Sequence, residues 1–317
     1  MVIIIGSGPI GLATAIALKQ KGIESLIIER GCLVNSIYNY PTNMTFFSTS
    51  DKLEIGNIPF ISHGPKPTRK EALEYYRRAA EHYNLNINLF EEVTNVNGED
   101  GSYEVITDKG KYKAEKVVLA TGFYGKPNMM NVPGEELPKV LHYYDDPHRY
   151  AWQNVLVVGG GNSAADAALE TYRCHANVSI LVKHDTLKPS IKYWVKPDID
   201  NRIKEGSITG YFNSEVLEIR EKEVDIQTPD GEKTIKNDFV LAMTGYRPHF
   251  DLMQKMGINL TEDEKKMPVY NKETLETNRK GLYVAGVVCG GMDTSSLFIE
   301  NSRIHAEHIA DHIEKSR

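Results

Sequence analysis

Apolar residues in this chain gather in short runs separated by glycine-rich turns. Val2-Ile3-Ile4-Ile5 is continuous and β-branched, which predicts a strand buried on both faces of a parallel sheet. Gly6-Ser7-Gly8-Pro9-Ile10-Gly11 follows at once. The Ala- and Leu-rich stretch from Leu12 to Gln20 then predicts a helix stopping at Lys21-Gly22, a basic last turn with a glycine stop. A second apolar strand, Ile23 to Ile28, ends in Glu29. Strand, glycine turn, helix and strand make a βαβ unit whose turn feeds a helix N-terminus.

The same order returns further on. Val155 to Val158 is an apolar strand, Gly159-Gly160-Gly161-Asn162-Ser163-Ala164 is the turn, Ala165 to Tyr172 continues as helix, and Val178 to Val182 is the next strand. Two similar strands end in Thr-Gly: Val117 to Gly122, with Thr121-Gly122, and Val240 to Gly245, with Thr244-Gly245. A further strand, Gly281 to Gly286, precedes a C-terminal helix. Charged, alternating stretches around Tyr103 to Val105 with Tyr112, and Val216 to Ile226 with Thr234 and Ile235, predict one hairpin in each half.

The glycines have a chemical reason. The first makes a tight turn, the second lets backbone approach a pyrophosphate, and the third lets helix and strand pack closely while helix N–H groups face the anion. In the first unit these are Gly6, Gly8 and Gly11, with Pro9 opening the helix. Glu29 stands 18 residues beyond Gly11, where an acid accepts hydrogen bonds from an adenosine ribose. In the second unit the positions are Gly159, Gly161 and Ala164, the last an accepted variant. Its following strand ends in Lys183-His184, with Lys188 shortly after and no acid at the ribose position. Cations there accommodate a 2′-phosphate, which points to NADP over NAD.

Length and charge narrow the class. At about 150 residues per domain, 317 residues make about two domains. With 37 Lys and Arg against 43 Asp and Glu, the net charge of −6 argues against general electrostatic binding to nucleic acid. No apolar run reaches the roughly 18 residues of a spanning helix, and the glycine-broken start lacks a basic leader region. Cys32, Cys174 and Cys289 are far apart and odd in number, with no CxxC, which predicts no disulfide framework and fits a reducing cytoplasm.

Taken together these residues resemble the two-dinucleotide flavoproteins of the thioredoxin-reductase type. The resemblance implies an α/β fold with two Rossmann-like domains: an FAD domain of 1–122 plus 250–317, and an NADPH domain of 123–249 inserted in it. A narrower resemblance covers nearly the whole chain. Ser36-Ile37-Tyr38-Asn39-Tyr40-Pro41, Thr45 to Ser48, Ser50 to Leu53, Pro189 to Lys192, Tyr270 to Thr274 and Phe298 to Asn301 look like the bacillithiol-disulfide reductase family. That family uses NADPH, through FAD, to reduce the disulfide of a small glucosamine–cysteine thiol. The resemblance implies that Ser36, Thr121, Gly122 and Gly286 join the first glycine turn and Glu29 at FAD. It places Asn162, Ser163, Thr244 and Gly245 with the second turn, Lys183 and His184 at NADPH.

Two departures bear on chemistry. The family commonly carries a redox Cys after the proline of the first glycine turn, and this chain has Ile10. Thioredoxin-reductase-type chains carry Asp after Ala-Gly in the last strand, and here Ala285-Gly286 is followed by Val287, which the narrower family shares. Cys289, two residues on, is either a substitute thiol or a small buried hydrophobe. Cys32 lies nearer the ribose acid than the reacting ring, and Cys174 ends a helix.

His305, His308 and His312 share one helical face, read as a solvent or subunit-contact edge rather than a metal site. His142, in Lys139-Val140-Leu141-His142, resembles a fragment of flavin-monooxygenase linkers but lacks that motif's flanking glycine and aromatic pattern. Lys192 and Trp194 either line a substrate entrance or simply pack. The expected activity is NADPH-dependent FAD oxidoreduction, with a low-molecular-weight disulfide or a small redox acceptor protein as partner and homo-oligomerisation left open. The alternatives are a flavodoxin or ferredoxin–NADP reductase, a flavin monooxygenase, and a non-catalytic redox sensor.

Overall fold

The computed structural model describes residues 1–317. The chain packs as two compact units, one of Met1–Asn39, Asn43–Lys126 and Arg247–Arg317, the other of Tyr40–Thr42 and Pro127–Tyr246. The main crossings fall at 126/127 and 246/247, a few residues from the expected 122/123 and 249/250. The excursion of Tyr40–Thr42 into the second unit has no boundary signal in the sequence.

In the first unit five parallel strands lie in the order Leu282–Val284, Lys116–Leu119, Val2–Ile5, Ser25–Ile28, Ile87–Asn88. Val2–Ile5 sits at the centre with every residue buried, as a continuous apolar run requires. The helix Pro9–Gln20 buries every residue from Pro9 to Leu18, so it is apolar nearly all round. It packs against the C-terminal helix His305–Lys315, and Lys21 at its end pairs with Asp311 at 2.8 Å and Glu314 at 2.7 Å. The helix Arg69–His82 lies outside the predicted elements. Its start is a capping box in which Thr68 Oγ1 accepts from Glu71 N–H and Glu71 accepts from Thr68 N–H at 2.7 Å.

The expected hairpin is one strand richer. Val93–Glu99, Ser102–Thr107 and Lys111–Ala114 form a three-stranded antiparallel sheet. Register slips between Val93 and Asn95, and this irregularity breaks the alternation that would mark the first strand in the sequence.

The second unit repeats the plan with Thr209–Phe212, Asn177–Val182, Asn154–Val158, Phe239–Ala242 and Val140–Leu141, again all parallel. Its central strand supplies two cores because successive side chains point to opposite faces. Val155 and Val157 pack with the Asn162–Arg173 helix residues Ala164, Ala165 and Ala168. Leu156 and Val158 pack with Val216, Ile219, Val224 and Ile226 of a second antiparallel sheet. That sheet also has three strands, Glu215–Ile219, Glu223–Thr228 and Gly231–Lys236.

Candidate functional site

Each unit carries its glycine turn at the carboxyl end of its central strand, where the sheet order reverses and open α/β sheets bind ligands. In the first turn Gly6 has φ +108°, and a Cβ there would stand 2.7 Å from Ala120 O. A Cβ on Gly11 would collide with Gly6 O, so this glycine lets the helix lie against the strand end. Gly8 differs, since a Cβ there would meet nothing within 4 Å. It is the N-cap of Pro9–Gln20 and supplies no side-chain cap, so the turn opens onto free space with uncapped helix N–H groups beside it. That is a cradle a phosphate can fill and a side chain would obstruct.

Glu29 is buried at 7% exposure and its carboxylate has a second task the sequence did not reveal. Oε2 accepts from Ser7 N–H at 2.8 Å and Ser7 Oγ at 3.2 Å, and Oε1 accepts from Gly31 N–H at 2.9 Å. It thus ties the end of the second strand to the glycine turn. Oε1, with a single bond, keeps acceptor capacity for a ribose hydroxyl, while Oε2 already accepts two. Gly6, Glu29, Thr121 and Gly122 line one cleft, rimmed by Arg30, Lys126, Arg247 and His249. Thr121 Oγ1 is buried there without a hydrogen-bond partner, an orphan that a bound ligand would satisfy. These features fit an adenine dinucleotide. Ser36 lies beside them on the short helix Asn35–Tyr38, whose start is held by Val34 N–H to Ser7 Oγ at 3.3 Å.

Position 10 is an apolar contact. Ile10 is buried, and a Cβ on Gly286 would stand 3.1 Å from Ile10 Cγ1. Gly286 has φ +82° and donates its N–H to His305 Nδ1 at 3.1 Å. That bond sets the unprotonated nitrogen of His305. Burial, with the neighbouring His308, pushes the His305 pKa down to about 4. Cys289 Sγ lies 3.9 Å from the same nitrogen, fully buried, and burial pushes its thiol pKa up. Cys32 is half-buried, and burial followed by the Glu29 charge raises its thiol pKa also. Cys174 is the C-cap of Asn162–Arg173.

The solvent-edge reading of the three histidines is corrected in part. His305 turns inward to Gly286, His312 Nδ1 meets Tyr283 Oη at 3.0 Å, and His308 is exposed. Ile309, Ala310 and Ile313 draw that side of the helix into the core.

In the second turn Gly159 has φ +141°, and a Cβ there would collide with Met243 O and approach Ala164 Cβ at 3.4 Å. Gly161 is the N-cap of Asn162–Arg173 without a side-chain cap. Ser163 is exposed at the first helical turn. Lys183 and His184 are exposed at the end of Asn177–Val182 with no ion pair. Thr244 Oγ1 donates to Asn128 O at 2.6 Å, and Asn128 N–H donates to Gly245 O at 2.9 Å, where Gly245 has φ +91°. Asn162 is turned to residues 190–192 rather than to the turn's open side. His142 keeps both ring nitrogens buried without a hydrogen bond, Nε2 standing 3.5 Å from Glu135 Oε1. Lys192 pairs with Asp166 at 2.9 Å, and Trp194 meets Tyr193 edge-on at 4.8 Å between centroids.

Comparison with known proteins agrees with this plan. Residues 3–286 match the family described as pyridine nucleotide-disulphide oxidoreductase. The chain is 46% identical over 315 residues to bacilliredoxin reductase Bdr of Bacillus subtilis, covering 99% of this chain and 97% of that one. Two solved structures, described as bacillithiol disulfide reductase Bdr, are each 44% identical. The one from Bacillus cereus superposes with TM-score 0.96 over 100% of this chain and 99% of its own. The one from Staphylococcus aureus superposes with TM-score 0.94 over 100% and 98%.

Proposed function

The chain belongs to the pyridine nucleotide-disulphide oxidoreductase family and to its Bdr group, and from that premise we propose that it is an NADPH-dependent FAD oxidoreductase reducing a bacillithiol-type disulfide. The observation that carries the reading is a pair of uncapped glycine turns, one in each unit of a chain similar over its full length to Bdr proteins. Bound here, FAD would supply the two-electron link between NADPH and the disulfide, whose reduction consumes two electrons and two protons and yields two thiols.

The chain's own residues do the placing. The open face of Gly8 and the N–H groups of the first helix turn receive the FAD pyrophosphate, while Glu29 holds the ribose. Thr121, Gly122 and Gly286 shape the same unit's binding surface, with Ser36 beside them. In the second unit Gly159, Gly161, Asn162, Ser163 and Ala164 form the NADPH turn. Lys183 and His184 hold the 2′-phosphate, and Thr244-Gly245 closes the neighbouring strand end.

Ile10 offers no thiolate, and Cys289 is buried with a raised pKa. Disulfide exchange needs an accessible thiolate. The electrons therefore reach the acceptor without a covalent link to the chain. The acceptor is the free small-molecule disulfide or the same thiol carried on a small redox protein. No helix is long and apolar enough to cross a membrane. The cytoplasm is the proposed location.

Steady-state turnover tests this. NADPH consumption should require the disulfide, and kcat/KM should favour NADPH over NADH by roughly ten- to a hundredfold, the worth of a charge-assisted contact. Lys183→Ala should shrink that preference. Equal use of both nucleotides by the unaltered protein would sink the 2′-phosphate assignment. The absence of a thiol at position 10 also suits a ferredoxin or flavodoxin reductase, so those acceptors belong in the same assay.

A further inference from the structure

Leu187, Ile191, Val195 and Ile199 recur every fourth residue, and all four pack in the core cluster that holds Ala164, Ala165 and Ala168. Tyr193 and Trp194 fall between these anchors and face solvent, 84% and 52% exposed. Their rings meet edge-on, 4.8 Å between centroids. The backbone that carries them is fixed without their help. Asn162 Nδ2 donates to Ser190 O at 3.2 Å, and Asn162 Oδ1 accepts from Lys192 N–H at 3.0 Å. Lys192 O then accepts from the N–H groups of Val195 and Lys196, each at 2.9 Å, closing a turn that leads into the helix Lys196–Lys204.

Two large aromatic rings held out of the core on an anchored turn leave apolar surface in water. Tyrosine and tryptophan are also the side chains that carry most binding energy at protein interfaces. Here their display is preorganised, so a partner meets little ordering cost. Rings this exposed stand clear of the surface, whereas a small ligand needs a concave site that encloses it. The occupant that fits is a protein face. Its charge follows from the surroundings. Residues 186–197 hold three lysines and no carboxylate, and residues 186–205 carry five Lys and Arg against three Asp and Glu, in a chain of net charge −6. Lys192 and Lys196 each hold one carboxylate, Asp166 at 2.9 Å and Asp200 at 2.8 Å, and the stretch stays basic. A basic rim around an aromatic centre complements an acidic partner.

We propose that Tyr193 and Trp194 form the docking surface for a small thiol protein whose face around its cysteine is acidic. This rests on the reading of the chain as a disulfide reductase: the carried disulfide is the acceptor already named, and Tyr193 and Trp194 recognise its carrier. They then set the KM of the carried disulfide and have no part in the turnover of the free one.

The test uses the full-length flavoprotein with bacillithiol disulfide and with bacillithiol held as a mixed disulfide on a purified small thiol protein that has acids around its cysteine. The double variant Tyr193→Ser, Trp194→Ser should raise KM for the carried form roughly tenfold. It should leave kcat for that form within about twofold, and leave KM for the free disulfide and for NADPH unchanged. Binding has its own readout. In a Trp152→Phe background Trp194 is the chain's single tryptophan, and its emission should shift to the blue when the carrier is added. An unchanged KM for the carried form, or equal losses with both forms, overturns the assignment. A double variant that changes sedimentation coefficient, or that loses binding to anionic lipid vesicles shown by the unaltered protein, gives the surface to a second copy or to a membrane instead. An unaltered protein that reduces the free disulfide alone overturns the docking surface and spares the disulfide-reductase reading. One that reduces neither form overturns both.

Discussion

Gly8 and Gly11 are three residues apart, yet a side chain at each meets a different fate. At Gly11 it collides with Gly6 O inside the fold, while at Gly8 it enters open space. Gly8→Val should therefore give a folded, colourless protein, with an unchanged circular dichroism spectrum and no bound FAD. Gly11→Val should lower stability or soluble yield. A yellow, fully loaded Gly8→Val protein would contradict the placement of FAD at the first turn. Cys289 gives a second residue-scale expectation. Its thiol is fully buried, its pKa is raised, and its nearest polar neighbour, His305, already accepts from Gly286. Cys289→Ala should hold kcat within about threefold. A loss beyond about tenfold, roughly 1.4 kcal/mol of barrier, would make it a working redox thiol. The sequence made both glycine turns legible because backbone geometry demands glycine at few kinds of place. It could not show that Glu29 spends hydrogen bonds on Ser7 and Gly31, because those contacts join distant segments.

At the scale of elements, the C-terminal helix does more than cover the sheet. His305 accepts the Gly286 N–H through a ring kept neutral by burial, with its pKa down to about 4. The unfolded chain binds a proton at this residue below about 6.5, and the folded chain does not until about 4. In that window the unfolded state holds more protons, so stability rises with pH. This part of the stability is present above about pH 6.5 and is lost as pH falls toward 4. The urea midpoint should fall more between pH 7 and pH 5 for the unaltered protein than for His305→Asn, whose amide oxygen can accept the same N–H. Carboxylate contributions are common to both proteins, so equal falls would contradict a neutral, structural His305. Legibility here follows physics too. Continuous apolar runs such as Val2–Ile5 announced the buried parallel strands. The bulged strand Val93–Glu99 and the strand Thr209–Phe212 did not, the first for want of alternation and the second because no residue in it is fully buried. The inward turn of His305 was hidden as well, since helical spacing fixes a shared face but not which neighbour that face meets.

For the whole molecule, the sequence exposed one plan written twice, and the structure gives it as two units, each built on a five-stranded parallel sheet. The crossings at 126/127 and 246/247 each follow a Thr-Gly strand end, while the Tyr40–Thr42 excursion depends on packing between distant residues. The ties of residues 188–192 to the second turn were not legible for a similar reason: the bonds of Lys188 N–H to Gly160 O and of Asn162 to Ser190 and Lys192 join segments far apart in the chain. The central claim is that electrons from NADPH leave this chain to a low-molecular-weight disulfide with no thiol at position 10. The most direct measurement is anaerobic stopped-flow absorbance. NADPH in stoichiometric amount should bleach the yellow colour, and bacillithiol disulfide, free or carried on a small thiol protein, should restore it while two thiols are released per disulfide. A colour that stays bleached with both disulfide forms, yet returns at once with ferredoxin or flavodoxin, would contradict the account.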